Sequence, residues 1–228
     1  MEQPKTTLSP FFNQFLIDSA NQTRASKSQS EDAVLTDSST GLLGVFDSVG
    51  GRDKGLLVSH LAAKTIASAW QSLSETERQG SLTQLEAALQ ALIQQADTAI
   101  ASLVLPPEQR RPATTAALCV LSLQQTQAYV TLTHIGDSRV SLLRAGQHLQ
   151  RLTQDHGYFP FAVRQGRITK EESVHIEQAG GNSELSLTEQ AHFLRRNEIT
   201  CAVGWTDFPH IPTCSLALLP GDRIVLCT

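Results

Sequence analysis

No apolar run in this chain is long enough to cross a bilayer. The opening residues, Met1-Glu2-Gln3-Pro4-Lys5, lack the apolar centre of a secretory leader. A membrane span and an export signal are both excluded as expectations, and a cytoplasmic location follows. Positive charge is also short: 18 Lys and Arg stand against 22 Asp and Glu, for a net charge of −4. That balance gives no electrostatic case for nucleic acid or an anionic membrane as partner. Cysteine is sparse, at four residues, and none forms a CxxC pair. Cys119, Cys201, Cys214 and Cys227 sit within apolar segments, so they read as reduced core residues of a cytosolic protein, not as a zinc site. Internal repeats are lacking, and no linker-like break follows residue 40.

What is present is enough for a sizeable core: 228 residues, 40% of them hydrophobic. The expected layout is a loose lead-in over residues 1–10 and a single domain over residues 11–228. Phe11 to Ala20 reads as a first strand. Two strands, Asp32–Thr36 and Leu42–Phe46, flank the polar turn Asp37-Ser38-Ser39-Thr40-Gly41 and form a hairpin. A helix is predicted over Lys54 to Leu73, from the spacing of Leu56, Ala63, Ile66 and Trp70. Ser74-Glu75-Thr76-Glu77 and Ser81-Leu82-Thr83-Gln84 fit capping boxes. The second opens a long helix with Leu82, Leu85, Leu89, Leu92, Ala96, Ile100 and Leu103 on one stripe. The stripe reads as an antiparallel helix pair lying on a sheet rather than as a coiled coil, and a monomer is expected.

From Ala113 the period becomes strand-like. Thr114–Leu123, Gln127–Ile135, Arg139–Arg144 and His148–Gln150 are predicted as a meander. Helices follow at Tyr158 to Gln165 and from Thr169, then strands at Ile199–Val203, Ser215–Leu218 and Arg223–Cys227, the last with nothing to pair it. Strands, two helices and strands again indicate an α+β fold, a sheet sandwich with helices outside.

The chemistry is concentrated in four short stretches. Val45-Phe46-Asp47-Ser48-Val49-Gly50-Gly51 ends a buried strand on a carboxylate beside an open Gly-rich turn. Glu31-Asp32 opens the neighbouring strand. A fixed carboxylate with accessible carbonyls suits a hard divalent cation, although an Asp before Gly at a strand end is commonly a plain turn former. His134-Ile135-Gly136-Asp137-Ser138-Arg139 and Leu152-Thr153-Gln154-Asp155-His156-Gly157 complete the set, and each alone also reads as a turn or a helix cap.

In this order and at these separations, the four stretches resemble the metal-dependent, type 2C-like (PPM) protein serine/threonine phosphatases. Ala113-Thr114-Thr115-Ala116, Gly166-Arg167-Ile168-Thr169-Lys170-Glu171-Glu172, Arg196–Gly204 and Leu219–Thr228 extend the resemblance from about residue 12 to Thr228. It implies a β-sandwich of two antiparallel sheets flanked by helix pairs, with two Mn²⁺ or Mg²⁺ ions at one end. The position matching the bridging aspartate is Asp47. Asp32 matches a second metal carboxylate, Glu31 a residue acting through bound water, and Ser48 a carbonyl donor. Asp137 matches a residue associated with a third, more weakly held ion in bacterial relatives. Lys27 stands where an Arg often binds substrate phosphate. The implied reaction is hydrolysis of phosphoserine and phosphothreonine in proteins: a water bridging two metals attacks phosphorus in line, with no covalent enzyme intermediate.

Four departures from the family pattern stand out. Ser48 replaces a Gly, adding a Cβ where the backbone was bare. Lys27 replaces the Arg, giving a point charge without the bidentate fork. Val49 stands where eukaryotic relatives have a His. The strand Arg223–Cys227 would run into an Asp-Gly and later an Asp-Asn, both metal-binding, but the sequence ends at Thr228. The expected site is therefore short of two acidic ligands and the last C-terminal elements, with weak Mn²⁺ binding and little activity. The rival expectation is a catalytically impaired relative that binds a phosphoprotein or a serine/threonine kinase without hydrolysing it.

Overall fold

The computed structural model describes residues 15–22, 30–49, 55–104, 111–205 and 210–228. The lead-in over residues 1–10 and Lys27 lie outside the described residues. The elements run β1 (Ala33–Asp37), β2 (Leu42–Phe46), β3 (Ser48–Val49), α1 (Gly55–Ser72), α2 (Glu75–Arg78), α3 (Leu82–Ala101), β4 (Ala113–Thr114), β5 (Ala116–Gln124) and β6 (Gln127–Ile135). They continue with β7 (Arg139–Leu143), β8 (Gln150–Arg151), α4 (Tyr158–Arg164), α5 (Lys170–Gln178), a 3₁₀ turn over Asn182–Glu184, α6 (Leu187–Phe193), β9 (Thr213–Ala217) and β10 (Arg223–Cys227).

The strands form a larger sheet in the order β1-β2-β5-β6-β9 and a smaller one in the order β10-β7-β8, with β3 and β4 paired beside them. Every named pairing is antiparallel. Strand alternation assigns the two faces of the larger sheet to two cores. Leu42, Phe46, Ala116, Leu118 and Val120 face α1 and α3, where Val58, Ile66, Trp70, Leu85, Leu89 and Ile93 close the first core. Leu43, Val45, Ala117, Cys119 and Leu121 face the other way and meet Val140, Ile224 and Leu226 of the smaller sheet. Each fully buried side chain of this size contributes about 1.5–3 kcal/mol, so the two cores hold the sandwich and its helix pair together. The α+β sandwich with flanking helices is the observed architecture.

The helices begin where the sequence says they should. Ser74 caps α2 and Ser81 caps α3, each with the reciprocal Glu77 or Gln84 bond of a capping box. Trp70 donates its indole N–H to Thr40 Oγ1 at 2.9 Å, tying α1 to the β1–β2 turn. The long apolar stripe of α3 packs on α1 and the larger sheet, as an antiparallel pair would. No helix among the described residues is long and apolar enough to cross a membrane.

Several expectations are corrected. Residues 15–20 form no strand; Phe15 and Ile17 touch the inter-sheet core with side chains alone, outside either ladder. The meander breaks after β6, because the turn Gly136-Asp137-Ser138 carries the chain across to the smaller sheet, where β7 pairs with β8 and β10. β10 is paired along its whole length, Arg223 to Cys227, against Leu143 to Arg139. Ile199–Val203 makes two isolated bridges, Gly157↔Ile199 and Thr114↔Val203, since its ends serve different partners. The helix α6 was signalled by Ser186-Leu187-Thr188-Glu189, which forms a full capping box.

Candidate functional site

The β1–β2 ladder pairs Ala33 with Phe46 and Val34 with Val45. The ladder's last pair is Ala33↔Phe46, and its register continued by one step would set Asp32 opposite Asp47. Opposite residues of an antiparallel pair share a face, and alternation from Val45 places both carboxylates on the inter-sheet side. The two acidic residues singled out in sequence, 15 positions apart in a hairpin, are thus brought together by register.

Asp47 is held from three sides. Its N–H donates to Thr115 Oγ1 at 2.9 Å. Its carbonyl accepts from the Thr115 N–H at 2.8 Å and from Thr114 Oγ1 at 2.9 Å. Glu31 lies beside it: Ser48 Oγ and Ser59 Oγ both donate to the Glu31 carbonyl, each at 2.7 Å. The Cβ that Ser48 adds therefore carries a hydroxyl that fastens the chain just before Asp32. At the other end of the sequence, Thr228 Oγ1 reaches Asp32 Oδ2 at 3.4 Å. The residue that follows β10 thus reaches the carboxylate of Asp32.

Asp137 comes from the crossover turn between the sheets. It reaches solvent, yet burial and then the charge of Asp155 hold its carboxyl above the ordinary carboxylate range, against its own backbone N–H and Arg139. Next to it, Ser138 Oγ lies 2.5 Å from Thr115 Oγ1, both buried. Gly136 has φ +94°, and a Cβ there would come within 2.6 Å of Thr115 Cγ2. His156 clamps Gly136 in both directions: its N–H donates to the Gly136 carbonyl at 2.9 Å, and its Nδ1 accepts the Gly136 N–H at 3.2 Å. The ring stacks on His134 at 4.7 Å between centroids, and His134 Nε2 donates to the Gln154 carbonyl at 2.7 Å. Burial first, then the neighbouring His134, pushes His156 down to about 4.

The cation beside Asp137 is engaged: Arg139 gives Nε and Nη2 to Asp155, the closest contact being 2.7 Å. Arg144 pairs with Asp222 at 2.7 Å past the opposite end of β7. Lys27, the expected phosphate partner, is outside the described residues.

Further support comes from behind. The N–H of Gly204 donates to the buried Asp97 Oδ1 at 2.6 Å, and Val203 bridges Thr114. So α3 holds the segment that holds Thr114, and Thr114 holds Asp47. Sequence reasoning marked Thr114, Thr115 and Ser138 as parts of motifs without assigning them this role.

In kind, the carboxylate oxygens of Asp32 and Asp47 fit a hard divalent cation. In number they supply part of a shell, because the described residues hold no group of three or more His, Cys, Asp or Glu able to hold a metal ion.

The family model described as "Protein phosphatase 2C" matches residues 13–159. Serine/threonine phosphatase stp of Listeria monocytogenes is 29% identical over 184 residues, which are 81% of this chain and 64% of that protein. Serine/threonine protein phosphatase PstP of Mycobacterium tuberculosis is 32% identical over 148 residues, 64% of this chain and 26% of that protein. The chain therefore spans less than two thirds of the length of these curated relatives. Among solved structures, the M. tuberculosis phosphatase PstP/Ppp superposes with a TM-score of 0.66 at 26% identity, covering 89% of this chain and 73% of that one. The catalytic domain of PstP in complex with two manganese ions gives 0.62 at 27% identity, covering 89% and 72%.

Proposed function

Because the chain belongs to the protein phosphatase 2C family, we propose that it is a metal-dependent protein serine/threonine phosphatase. The observation that carries the reading is the register-opposed pair Asp32 and Asp47, with Asp47 fixed by Thr114 and Thr115. Residues 11–228 act as one phosphatase unit and as a monomer, on phosphoserine or phosphothreonine in a protein substrate. The reaction opposes that of a serine/threonine kinase. The free cysteines suit a reducing, cytoplasmic setting.

Asp32, Asp47 and the Ser48 carbonyl would hold Mn²⁺ or Mg²⁺, with Glu31 acting through water and Asp137 serving a third, weaker position. Cations there supply Lewis acidity that lowers the pKa of water and draws charge from phosphoryl oxygens. The chain's own part is placement. Three hydrogen bonds fix the Asp47 backbone, so its carboxylate is aimed without reorganisation when substrate arrives. Lys27, by its position in the family pattern, is the cation proposed to meet the substrate phosphate.

With two opposed carboxylates as the core of the donor set, slow turnover is expected. The test is phosphate release from a phosphothreonine peptide. Expected is release that depends on Mn²⁺, stops with a chelator and is lost in Asp47→Asn. The reading is overturned if Mn²⁺ gives no release above the Asp47→Asn background.

A further inference from the structure

Thr115 sits between β4 and β5, with its side chain buried. Its hydroxyl accepts the N–H of Asp47 at 2.9 Å and shares a 2.5 Å hydrogen bond with Ser138 Oγ. Its methyl group lies where a Cβ on Gly136 would fall, 2.6 Å away. One side chain therefore touches the residue that bears one carboxylate, Asp47, and both neighbours of another, Asp137.

The two carboxylates come from different sheets. Asp47 follows β2 of the larger sheet, and Asp137 lies in the turn that enters β7 of the smaller. The Thr115–Ser138 bond is a side-chain link between the two at this end. Both hydroxyls are buried and neither can exchange its partner for solvent at no cost.

We propose that Thr115 and Ser138 form a strut that sets the position of Asp137 relative to Asp47, making them positioning residues for divalent-cation binding. The proposal rests on the phosphatase reading. The hydroxyl carries the effect, because it alone meets both Asp47 and Ser138; the methyl group only fills the space left by Gly136.

The chemistry of threonine allows a clean separation. Thr115→Val keeps the shape and removes the hydroxyl. Thr115→Ser keeps the hydroxyl and removes the methyl. Ser138→Ala cuts the link to the Asp137 turn but leaves the Asp47 N–H its acceptor. Binding of Mn²⁺ to the full chain is read from the loss of the free-ion electron paramagnetic resonance signal, with circular dichroism confirming that each variant is folded. Supporting groups behind metal ligands typically change affinity by about tenfold or more, so Thr115→Val is expected to weaken binding about tenfold. Thr115→Ser should stay within about threefold and Ser138→Ala should lose about threefold; because the two residues act through one link, the Thr115→Val, Ser138→Ala double variant should be no worse than Thr115→Val.

A merely structural threonine would lower stability without this order of affinities. The strut is overturned, and the phosphatase reading kept, if Asp47→Asn abolishes Mn²⁺ binding while Thr115→Val binds within threefold of the unmutated chain. It is likewise overturned if Thr115→Ser loses as much as Thr115→Val, or if the double variant loses the product of the single effects. Should the unmutated chain bind no more Mn²⁺ than Asp47→Asn, the reading and the strut fall together.

Discussion

The Ser48 hydroxyl donates to the Glu31 carbonyl across the end of the β1–β2 hairpin, at 2.7 Å. The same carbonyl accepts from Ser59 of α1 at 2.7 Å, so a helix and a strand fasten residue 31 together. Replacing Ser48 leaves the carbonyl one donor, and the cost is modest. Ser48→Ala is expected to destabilise the chain by about 1 kcal/mol, the net value of a hydrogen bond. Ser48→Gly adds the entropy of a freer backbone and should reach about 1.5–2 kcal/mol. Urea denaturation measures both, and equal stability of Ser48→Gly and the unmutated chain would show that the hydroxyl holds nothing.

Gly136→Ala should be costly for two reasons that can be separated. The backbone stands at φ +94°, and the new methyl would meet Thr115 Cγ2 at 2.6 Å and Cβ at 2.8 Å. Backbone strain of this kind costs about 1–3 kcal/mol, and the contact adds to it. Pairing the change with Thr115→Ser removes Cγ2, so the double variant should recover part of the loss and keep the strain. Denaturation midpoints of the two variants decide it.

Acid should loosen the same corner. His156 is pushed from 6.5 down to about 4 in the folded chain. As pH falls below 6.5, the unfolded chain takes up this proton first, so the stability contributed is whole above 6.5 and is lost progressively toward 4. His134 shifts in the same direction, chiefly through burial. Protonation at Nδ1 would also remove the acceptor of the Gly136 N–H. Between pH 6.5 and 5, before most carboxylates titrate, unfolding free energy should decline with pH. The decline should be shallower in His156→Asn; an unchanged slope would place the titrating group elsewhere.

Divalent cations should stabilise the fold by mass action. At ten times its dissociation constant, Mn²⁺ adds about 1.4 kcal/mol, or roughly 3–5 °C in the melting midpoint of a chain this size. Asp32→Asn and Asp47→Asn should show no shift. A shift preserved in both variants would mean that the ion binds elsewhere.

How far the sequence spoke for itself depended on range. The Asp37–Gly41 turn, the Ser74 and Ser81 boxes and the β1–β2 hairpin are encoded within a few residues, and each is found where those residues indicate. The Ser186 box was just as local, and α6 could have been read from it. Phe15 and Ile17 alternate like a strand yet find no free ladder to join, which local pattern cannot reveal. The transfer of β7 to the second sheet and the hold of Thr115 on Asp47 are settled by partners 68 positions apart in the latter case, and no spacing rule reports them. The motifs that carry Asp32, Asp47 and Asp137 were legible; the hydrogen bonds that hold the Asp47 backbone were not.

The bonds that assemble the site join residues 17, 23, 68 and 196 positions apart. Contacts of such separation close large loops and form slowly, whereas the α1–α3 hairpin can collapse from neighbouring chain. During folding, then, Asp137 is expected to join Asp47 only after both sheets have been laid down. A refolding chain should regain its helical signal before its cation affinity, and the interval between the two would time the closing of the sandwich.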